Sequence, residues 1–403
     1  MATKTITDID LAGKKVLMRV DFNVPLAGAK VADDRRIKMA LPSITRVIEG
    51  GGKLVLISHL GRPKGKGFEA EFSLAPVAER LAELLGKTVK LGPPEVVGPE
   101  AATLVDGMGE GDIVLLENLR FHPGETSKDQ SELDDLSAEL GALGEVYVND
   151  AFGTCHRRHA SMVGTAKAIR AGGGPAVAGL LVEKEIKYLH EAIASPARPF
   201  VAILGGAKVS DKIELIATLL EKVDSIIIGG AMAYTLLKAS GVAVGKSLVE
   251  EDQIETMSKL LAGAGGKVLL PVDHVATADF AGGKSVDVAD ENIPDNLMGM
   301  DIGPETVEKF SRTIAEAKTI VWNGPMGVFE REAYAAGTKA VAIAMARATE
   351  NGAVSVVGGG DSASAVGQMG LADRMTHVST GGGASLTYLE GEPMVAIEVL
   401  DQK

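Results

Sequence analysis

The sequence predicts an α/β fold with two lobes, each of them a parallel sheet flanked by helices. Two observations carry this prediction. Short apolar runs alternate with helix-like stretches along the chain, and most of these runs lack the polar–apolar alternation of a strand with one solvent-facing side. The chain also has 403 residues, which exceeds the ~150 residues of a usual domain. About ten strands are more than one sheet of this kind comfortably holds, so we expect two sheets.

The predicted strands and helices alternate in both halves of the chain. The predicted strands of the first half are Lys15–Val20, Lys53–Ser58, Asp112–Leu116 and Val146–Val148. Those of the second half are Phe200–Leu204, Ser225–Ile228, Lys267–Pro271, Thr319–Trp322, Ala353–Val357 and His377–Ser379. The predicted helices between them include Leu74–Leu85, Asp211–Leu220, Glu251–Leu261 and Ala333–Thr349. Strands that alternate with helices form right-handed strand–helix–strand units, whose strands are parallel.

The composition favours a globular protein with small-molecule partners. Lysine and arginine number 41, and aspartate and glutamate number 54, so the formal charge is −13. That charge argues against a general binder of nucleic acids or anionic membranes. Cys155 is the single cysteine, which excludes an internal disulfide and a cysteine-built zinc site, and fits a reducing, cytoplasmic location. We expect no signal peptide over Met1–Lys15, and no apolar run reaches the ~18 residues of a membrane span.

A boundary between the lobes is predicted between Arg170 and Phe200. Ala171–Pro175 is a glycine-rich breaker, and the helix-like stretch that follows it ends at Ser195 and Pro196. We therefore predict a first lobe over 1–170, a hinge helix over 171–195 and a second lobe over 196–389. The alternative is an ordinary surface helix that belongs to either lobe.

Arginine and histidine recur just after the predicted strands of the first half. In open α/β sheets, ligands lie at the carboxyl ends of the strands, so these positions are candidates for binding. The segments concerned are Arg19–Pro25 with Arg36, Ser58–Pro63, Glu117–Phe121 and Asp150–His159. A single arginine at such a position more often forms a salt bridge on the surface. Because the planar guanidinium matches carboxylate and phosphate oxygens, the repeated set predicts a small polyanionic substrate.

Glycine recurs at the corresponding positions of the second half. The segments are Leu204–Lys212, Gly229–Ala233, Trp322–Glu330, Gly358–Ser362 and Ser379–Ser385. Glycine lets backbone N–H groups approach phosphate oxygens closely, and a helix that starts just afterwards adds its unpaired donors. One such turn would only indicate a tight connection, but the repeated set predicts a phosphate-binding surface. Asp361, beside a glycine run, is a natural Mg²⁺ contact when a nucleotide brings the ion.

Other patterns do not support a site of their own. Gly241–Ser247 has three residues between its glycines, where a P-loop needs four. A Gly-x-Gly-x-x-Gly motif after a strand is missing, which argues against a nicotinamide-dependent dehydrogenase. His156 and His159 have two arginines between them and no third metal ligand nearby. Cys155 is better explained as a small packed residue than as a nucleophile.

These segments together resemble the phosphoglycerate kinase family, from about Thr5 to about Leu389. In the first half the resemblance is carried by R-x-D-F-N-V-P at 19–25, S-H-L-G-R-P at 58–63, E-N-L-R-F at 117–121 and F-G-T-x-H-R at 152–157. In the second half it is carried by L-G-G-A-K-V-S-D-K at 204–212, W-N-G-P-M-G-V-F-E at 322–330, G-G-G-D-S at 358–362 and S-T-G-G-G-A at 379–384. The resemblance implies two Rossmann-like lobes joined by a helical hinge. It also implies reversible phosphoryl transfer from 1,3-bisphosphoglycerate to ADP, giving 3-phosphoglycerate and ATP.

The resemblance further implies which residues hold the substrates. It assigns 3-phosphoglycerate to Asp21, Asn23, Arg36, His59, Arg62, Arg120 and Arg157. It assigns the nucleotide to Gly206, Lys208, Lys212, Gly299, Asn323, Glu330, Gly359, Gly360, Asp361 and Ser362. Asp361 would hold Mg²⁺ and Glu330 would bond the ribose, while Arg36, Lys208 and Gly382 are the implied catalytic residues. This chain has an arginine at position 158, where many relatives have a small residue. Arg158 is therefore an alternative to Arg157.

The implied reaction needs no general base, since a carboxylate acceptor with a pKa of roughly 3.5 is already ionised at pH 7. The two anion sites lie on different lobes, so we expect the lobes to close and to exclude water during transfer. Residues from about 390 to 403 are expected to return to the first lobe, and the chain is expected to be a monomer. A non-catalytic nucleotide sensor is the remaining alternative, against which the intact Arg36, Lys208 and Asp361 argue.

Overall fold

The chain divides into two compact units. The computed structural model describes residues 3–403, apart from the side chains of Glu191 and Ile193. The first unit comprises the chain up to Ile186 together with Pro393–Lys403, and the second unit comprises Lys187–Glu392. Among the described residues, no helix is both long enough and apolar enough to cross a bilayer.

A parallel sheet forms the centre of the first unit. The strands of this unit are β1 (Lys15–Val20), β2 (Leu26–Ala27), β3 (Lys30–Val31), β4 (Lys53–Ile57), β5 (Lys90–Leu91), β6 (Ile113–Leu115), β7 (Val146–Asp150) and β8 (Ala176–Ala178). Its helices are α1 (Arg35–Glu49), α2 (Ala75–Leu85), α3 (Pro99–Asp106), α4 (Gln130–Gly141), α5 (Thr165–Ala171) and the start of α6 (Leu180–Ala194), within which the two units meet in sequence. The sheet has the order β5-β6-β4-β1-β7-β8, and β2 and β3 form a separate hairpin.

The apolar strands of this sheet are buried because helices cover it. In β1, all residues from Val16 to Val20 are buried. Helix α1 shows why a flanking helix packs on the sheet: Ile37, Ala40, Ile44 and Val47 recur at helical spacing and are buried in the same cluster as β1 and β4. The helices therefore cover the faces of the sheet, and the carboxyl ends of its strands carry the candidate site.

The second unit repeats this architecture. Its strands are β9 (Phe200–Leu204), β10 (Ser225–Ile228), β11 (Val268–Leu269), β12 (His274–Thr277), β13 (Val286–Val288), β14 (Met298–Ile302), β15 (Thr319–Asn323), β16 (Val354–Gly358) and β17 (His377–Val378). Its helices are α7 (Ile213–Leu220), α8 (Met232–Ala239), α9 (Ile254–Gly263), α10 (Pro304–Glu316), α11 (Ala336–Glu350), α12 (Gly360–Gln368) and α13 (Gly383–Glu390), after which α14 (Val395–Glu398) belongs to the first unit. The parallel sheet has the order β11-β10-β9-β15-β16-β17, and fully buried Trp322 and Phe310 lie in its core.

The two parallel sheets flanked by helices confirm the predicted fold class. Each predicted strand has a counterpart in the structure, with ends shifted by at most two residues. The strands that were not predicted are β2, β3, β5, β8, β12, β13 and β14. Strand β8 is only three residues long, and the antiparallel sheet β13-β12-β14 contains polar and half-exposed positions that do not form an apolar run.

The segment predicted as a hinge helix differs in part from the prediction. Residues 176–178 form β8, so that helix α6 begins only at Leu180. Strand β8 pairs with β7, and this pairing outweighs the helical pattern of the flanking residues. The carboxyl-terminal residues are tied to the same edge, since Asp401 N donates to Ala176 O at 2.8 Å and Lys4 N donates to Asp401 O at 2.8 Å. The tail Pro393–Lys403 thus packs on the first unit.

Candidate functional site

The arginine-bearing segments of the first unit meet at one edge of its sheet. Strands β6, β4, β1 and β7 are consecutive neighbours in the sheet order and are all parallel. The segments that follow them therefore emerge side by side. We use the name arginine edge for six basic side chains that lie at the ends of these strands or in the segments after them: Arg19, Arg36, His59, Arg62, Arg120 and Arg157.

The segment after β1 is organised around Arg36, which lies in the first turn of α1. Arg36 Nη1 donates to Asp21 Oδ1 at 3.1 Å and to Asn23 O at 3.0 Å. Asn23 Oδ1 in turn accepts from Gly61 N at 2.9 Å, which joins this segment to the one after β4. The predicted residues Asp21, Asn23 and Arg36 are thus brought together, with the Arg36 side chain about one-third exposed.

The rest of the arginine edge is crowded with positive charge. The pKa of His59 is lowered well below its usual value, because burial and then the charges of Arg19, Arg120 and Arg157 disfavour protonation. The pKa of Arg120 is lowered by burial and by Arg157, Arg19 and Arg62, although Glu125 opposes this shift. The Arg120 Nε atom is buried without a hydrogen-bond partner. Unsatisfied charge of one sign at a strand edge favours an anionic ligand.

Arg157 and Arg158 differ in their surroundings. Arg157 is half-buried, and its Nε atom donates to His156 Nε2 at 3.2 Å. Its charge also acts on His59 and Arg120. Arg158 is exposed. This placement supports Arg157, rather than Arg158, as the member of the arginine edge.

A buried carboxylate beneath the arginine edge was missed in the sequence. Glu125 is fully buried, and it accepts hydrogen bonds from Ser161 N at 3.0 Å and from Ser161 Oγ at 2.7 Å. Fully buried Arg19 donates from Nε to the same Ser161 Oγ at 3.0 Å and lies 4.0 Å from Glu125. Burial raises the pKa of Glu125, but the interaction with His159 and the charge of Arg19 lower it by more. The pKa of Glu125 therefore lies below its usual value. No local pattern marks this residue, because its partners lie on other segments of the chain.

The glycine-bearing segments of the second unit also meet at one edge. Strands β10, β9, β15, β16 and β17 are consecutive in the sheet order, so the turns that follow them lie side by side. Helices begin directly after several of these turns, and α12 and α13 begin after glycines with positive φ: Gly359 at +85° and Gly382 at +52°. We call these turns the glycine edge. Backbone N–H groups at two helix starts are suited to phosphate oxygens.

Gly359 shows why a side chain is excluded from this edge. A Cβ atom at position 359 would lie 2.8 Å from Asn323 Nδ2. Asn323 itself is buried, and its Nδ2 atom has no hydrogen-bond partner among the described residues. The glycine thus leaves room beside a buried donor that a ligand can satisfy. Ser362 is buried at the same turn, where its Oγ atom accepts from Gly324 N at 2.6 Å.

The two predicted lysines of the glycine edge differ in environment. Lys212 ends the 3₁₀ turn Ser210–Lys212, and its Nζ atom donates to Gly205 O at 2.7 Å. Burial lowers the pKa of Lys212, although Asp211 and Asp361 oppose this shift. Lys208 precedes that turn and its side chain is exposed. The two lysines therefore do not lie on one α-helical turn, and their side chains have different environments.

Asp361 and Glu330 are both exposed, Asp361 in the first turn of α12 and Glu330 after β15. The described residues contain no group of three or more His, Cys, Asp or Glu that could hold a metal ion alone. A lone carboxylate beside a phosphate-binding turn fits an Mg²⁺ ion that arrives with its nucleotide, because such an ion takes one or two carboxylates plus phosphate oxygens.

Gly299 lies within β14, a strand of the antiparallel sheet. Its N atom donates to Ser247 Oγ at 2.9 Å, and a Cβ atom there would collide with the Tyr234 hydroxyl. Nearby, Asp301 is buried, and its carboxylate accepts from Gly337 N at 2.7 Å and Ile302 N at 2.9 Å. Burial raises the pKa of Asp301 to about 7.

Comparisons with known proteins agree with this architecture. A family model described as phosphoglycerate kinase matches residues 6–392. The chain is 54% identical to the phosphoglycerate kinase of Rhodopirellula baltica and 52% identical to that of Lactobacillus gasseri, in both cases over 406 residues and 100% of each chain.

Two solved structures are similar in fold over nearly the whole chain. The phosphoglycerate kinase from Coxiella burnetii has a TM-score of 0.86 and 38% identity, with 98% of each chain covered. The enzyme from Pyrococcus horikoshii has a TM-score of 0.86 and 33% identity, with 99% of this chain and 98% of its own covered. On this similarity of sequence and fold, the chain belongs to the phosphoglycerate kinase family.

Proposed function

We propose that this chain catalyses reversible phosphoryl transfer from 1,3-bisphosphoglycerate to ADP, giving 3-phosphoglycerate and ATP. The observation that carries the proposal is the pairing of an arginine edge with a glycine edge, each at the carboxyl ends of a parallel sheet. The first suits a small ligand with carboxylate and phosphate groups, and the second suits a nucleotide. Family membership supports the same reaction, in which a carboxyl group is the phosphoryl acceptor.

We propose that the arginine edge holds 3-phosphoglycerate. The residues proposed to contact it are Asp21, Asn23, Arg36, His59, Arg62, Arg120 and Arg157. Their combined positive charge neutralises the phosphate and the carboxylate of the ligand. Arg120 Nε, which is buried without a partner, gains one when the ligand binds.

The nucleotide is proposed to bind at the glycine edge. The proposed contacts are Gly206, Lys208, Lys212, Gly299, Asn323, Glu330, Gly359, Gly360, Asp361 and Ser362. Glu330 would bond the ribose, and Asp361 would hold Mg²⁺, which neutralises phosphate charge when it is bound. Asn323 Nδ2 and the N–H groups at the start of α12 supply donors for phosphate oxygens.

The chemical step depends on position and charge. The acceptor carboxylate, with a pKa of roughly 3.5, is ionised at neutral pH and needs no general base. We propose that Arg36, Lys208 and backbone N–H groups at Gly382 neutralise the charge on the equatorial oxygens of the transferring group. Direct transfer requires the two substrates to touch, so the units must close on them, and closure also excludes water from the acyl phosphate.

The monomeric state and the cytoplasmic location belong to the same proposal. The monomeric state follows by analogy with the family. The cytoplasmic location follows from a glycolytic enzyme family and from a chain with one buried cysteine. Sedimentation equilibrium at several protein concentrations tests the first, and a fluorescent fusion or cell fractionation tests the second.

The decisive experiment measures phosphoryl transfer from Mg·ATP to 3-phosphoglycerate, with hydroxylamine to trap the acyl phosphate. The wild type is compared with Arg36→Ala and Lys208→Ala, each expected to lower kcat by about 10²- to 10³-fold, as the loss of a main transition-state donor does. Near-normal kcat in both variants would contradict their assignment. No turnover in the wild type, despite binding of both ligands, would instead indicate a nucleotide sensor.

A further inference from the structure

The segment Gly205–Lys212, which carries Lys208, is fixed on both sides of that lysine. On the side before it, Gly206 N donates to Pro325 O at 3.1 Å, and Gly206 O accepts from Met232 N at 3.0 Å. On the side after it, Val209 is fully buried. The Lys208 side chain itself is exposed. The backbone at this position is therefore held while the ammonium group stays available to a ligand.

Glu250 provides much of the anchoring after Lys208. This residue lies between α8 and α9, and its Oε2 atom accepts from Val209 N at 2.5 Å and from Ser210 N at 3.0 Å. Its Oε1 atom accepts from Ser210 Oγ at 2.5 Å. The backbone of Glu250 is anchored in turn, because its N atom donates to Oγ1 of buried Thr235 on α8 at 3.1 Å. One carboxylate thus clamps two consecutive residues directly after Lys208.

We propose that Glu250 is a positioning residue for Lys208, which it serves by fixing the backbone that follows the lysine. The inference rests on the proposed role of Lys208 in phosphoryl transfer. Both carboxylate oxygens already accept short hydrogen bonds from this segment, so the residue serves the segment rather than a ligand. Although burial raises the pKa of Glu250, the hydrogen bonds from Ser210 and Val209 lower it overall, so the carboxylate is charged at neutral pH.

The expected consequence falls on the chemical step. A shift of ~1 Å in a group that stabilises a transition state costs on the order of 10²-fold in rate. Lys208 is proposed to neutralise charge that develops only during transfer, so its displacement lowers kcat more than it raises KM. A residue that only stabilised the unit would change the melting temperature without this pattern.

The test is a double-mutant cycle between positions 250 and 208, with the hydroxylamine-trapping assay described above. Glu250→Ala is expected to lower kcat by about 10- to 100-fold, with the KM for Mg·ATP changed by no more than about threefold. In the Lys208→Ala background the same substitution should have almost no further effect on kcat, because its target is gone. Glu250→Gln should restore most of the activity, since an amide oxygen can accept both N–H bonds and the NH₂ group can donate to Ser210 Oγ.

The matched control is Glu251→Ala, which removes an exposed ion pair with Lys238 and leaves the clamp intact. It is expected to retain wild-type kcat. If Glu250→Ala does not fold, Ser210→Ala removes one of the three side-chain-mediated bonds and enters the same cycle with a smaller expected loss.

Two results would overturn the inference. Unchanged kcat in Glu250→Ala would do so directly. Losses at 250 and 208 that multiply in the double variant would show that Glu250 acts independently of Lys208. Full activity of Lys208→Ala is a separate outcome, because it removes the proposed role of the lysine itself and this inference with it.

Discussion

The buried partner of His59 determines which of its ring nitrogens can face a ligand. Arg19 Nη2 lies 3.0 Å from His59 Nδ1. A guanidinium has donors only, so Nδ1 must be the acceptor and the proton must be on Nε2. His59 is therefore a neutral donor within a group of permanent cations. The arginines supply the charge for an anionic substrate, and the histidine supplies a directed hydrogen bond.

We predict that His59 stays neutral, as the Nε2–H tautomer, at pH 6.5 and above. Its folded pKa lies well below the unfolded value of about 6.5. The stability that this group contributes is therefore present above about pH 6.5 and is lost as the pH falls toward the folded pKa. A ¹⁵N NMR titration of the histidine rings checks this, with His59→Ala as the control that assigns the signal. A titration midpoint above pH 6.5, or the Nδ1–H tautomer, would contradict it.

A second prediction concerns the close approach of Gly359 to Asn323. Gly359→Ala places a Cβ atom 2.8 Å from Asn323 Nδ2 and displaces this donor. Loss of one hydrogen bond to the nucleotide, worth about 1.4 kcal/mol, raises the KM for Mg·ATP about tenfold. Steady-state kinetics at varied Mg·ATP measure this change.

Gly370→Ala is the control for Gly359→Ala. Gly370 also has a positive φ, +66°, but no atom lies within 4 Å of its Cβ position. Both variants carry the backbone cost of alanine at a positive φ, on the order of 1–3 kcal/mol, and this cost is expected to be greater at position 359, where ψ is 145°. Only Gly359→Ala should change the KM, and an equal change in both variants would assign the effect to general destabilisation.

Helix α6 depends on a carboxylate from another element for its first turn. Asp150, at the end of β7, is buried, and its Oδ1 atom accepts from Leu181 N at 2.9 Å and from Val182 N at 3.4 Å. Ser43 Oγ accepts from Leu180 N at 2.8 Å. The start of the helix in which the two units meet in sequence is thus fixed to β7 and α1. Burial raises the pKa of Asp150 to about 7, although the hydrogen bonds with Ser43, Val182 and Leu181 oppose this shift.

We predict that Asp150→Ala destabilises the first unit by about 1–2 kcal/mol, because it removes the acceptor for two N–H groups at a helix start. Asp150→Asn keeps an acceptor and should be milder. Since the folded pKa is raised from 3.8 to about 7, the contribution of Asp150 is fully present below about pH 4 and is lost as the pH rises through 7.

Urea unfolding of the wild type and Asp150→Asn at pH 5 and pH 8 measures this contribution. The wild type should lose stability relative to Asp150→Asn between the two pH values. A stability difference that is the same at both would show that Asp150 does not titrate in this range.

For the molecule as a whole, the proposed reaction requires the two units to bring their ligands together. We predict that small-angle X-ray scattering shows a smaller radius of gyration with 3-phosphoglycerate and Mg·ATP together than without ligands. Each ligand alone should produce a smaller change, because neither one contacts both units in the proposed mechanism. A radius of gyration that is unchanged by both ligands would contradict closure. Glu251→Ala should behave as the wild type does.

The architecture of both sheets could be predicted because it depends on local patterns. Runs such as Phe200–Leu204 are apolar throughout, which is what a parallel strand covered on both faces requires. Strand β8 and the sheet β13-β12-β14 could not be predicted this way. Ala176–Ala178 is too short to form a pattern, and it becomes a strand because β7 pairs with it. Elements of this kind are selected by their neighbours rather than by their own sequence.

The chain order alone fixed which residue types follow each strand, and thus the existence of an arginine edge and a glycine edge. Which strands are neighbours, and hence which of these side chains come together, depended on the sheet order. The carboxylates that support the two edges were also beyond reach from the sequence. Glu125 lies 106 positions after Arg19 in the chain. Glu250 lies 41 positions after Val209 and 40 after Ser210. A carboxylate reads the same in a sequence whether it is solvated or buried, because only folding removes its water and supplies its partners.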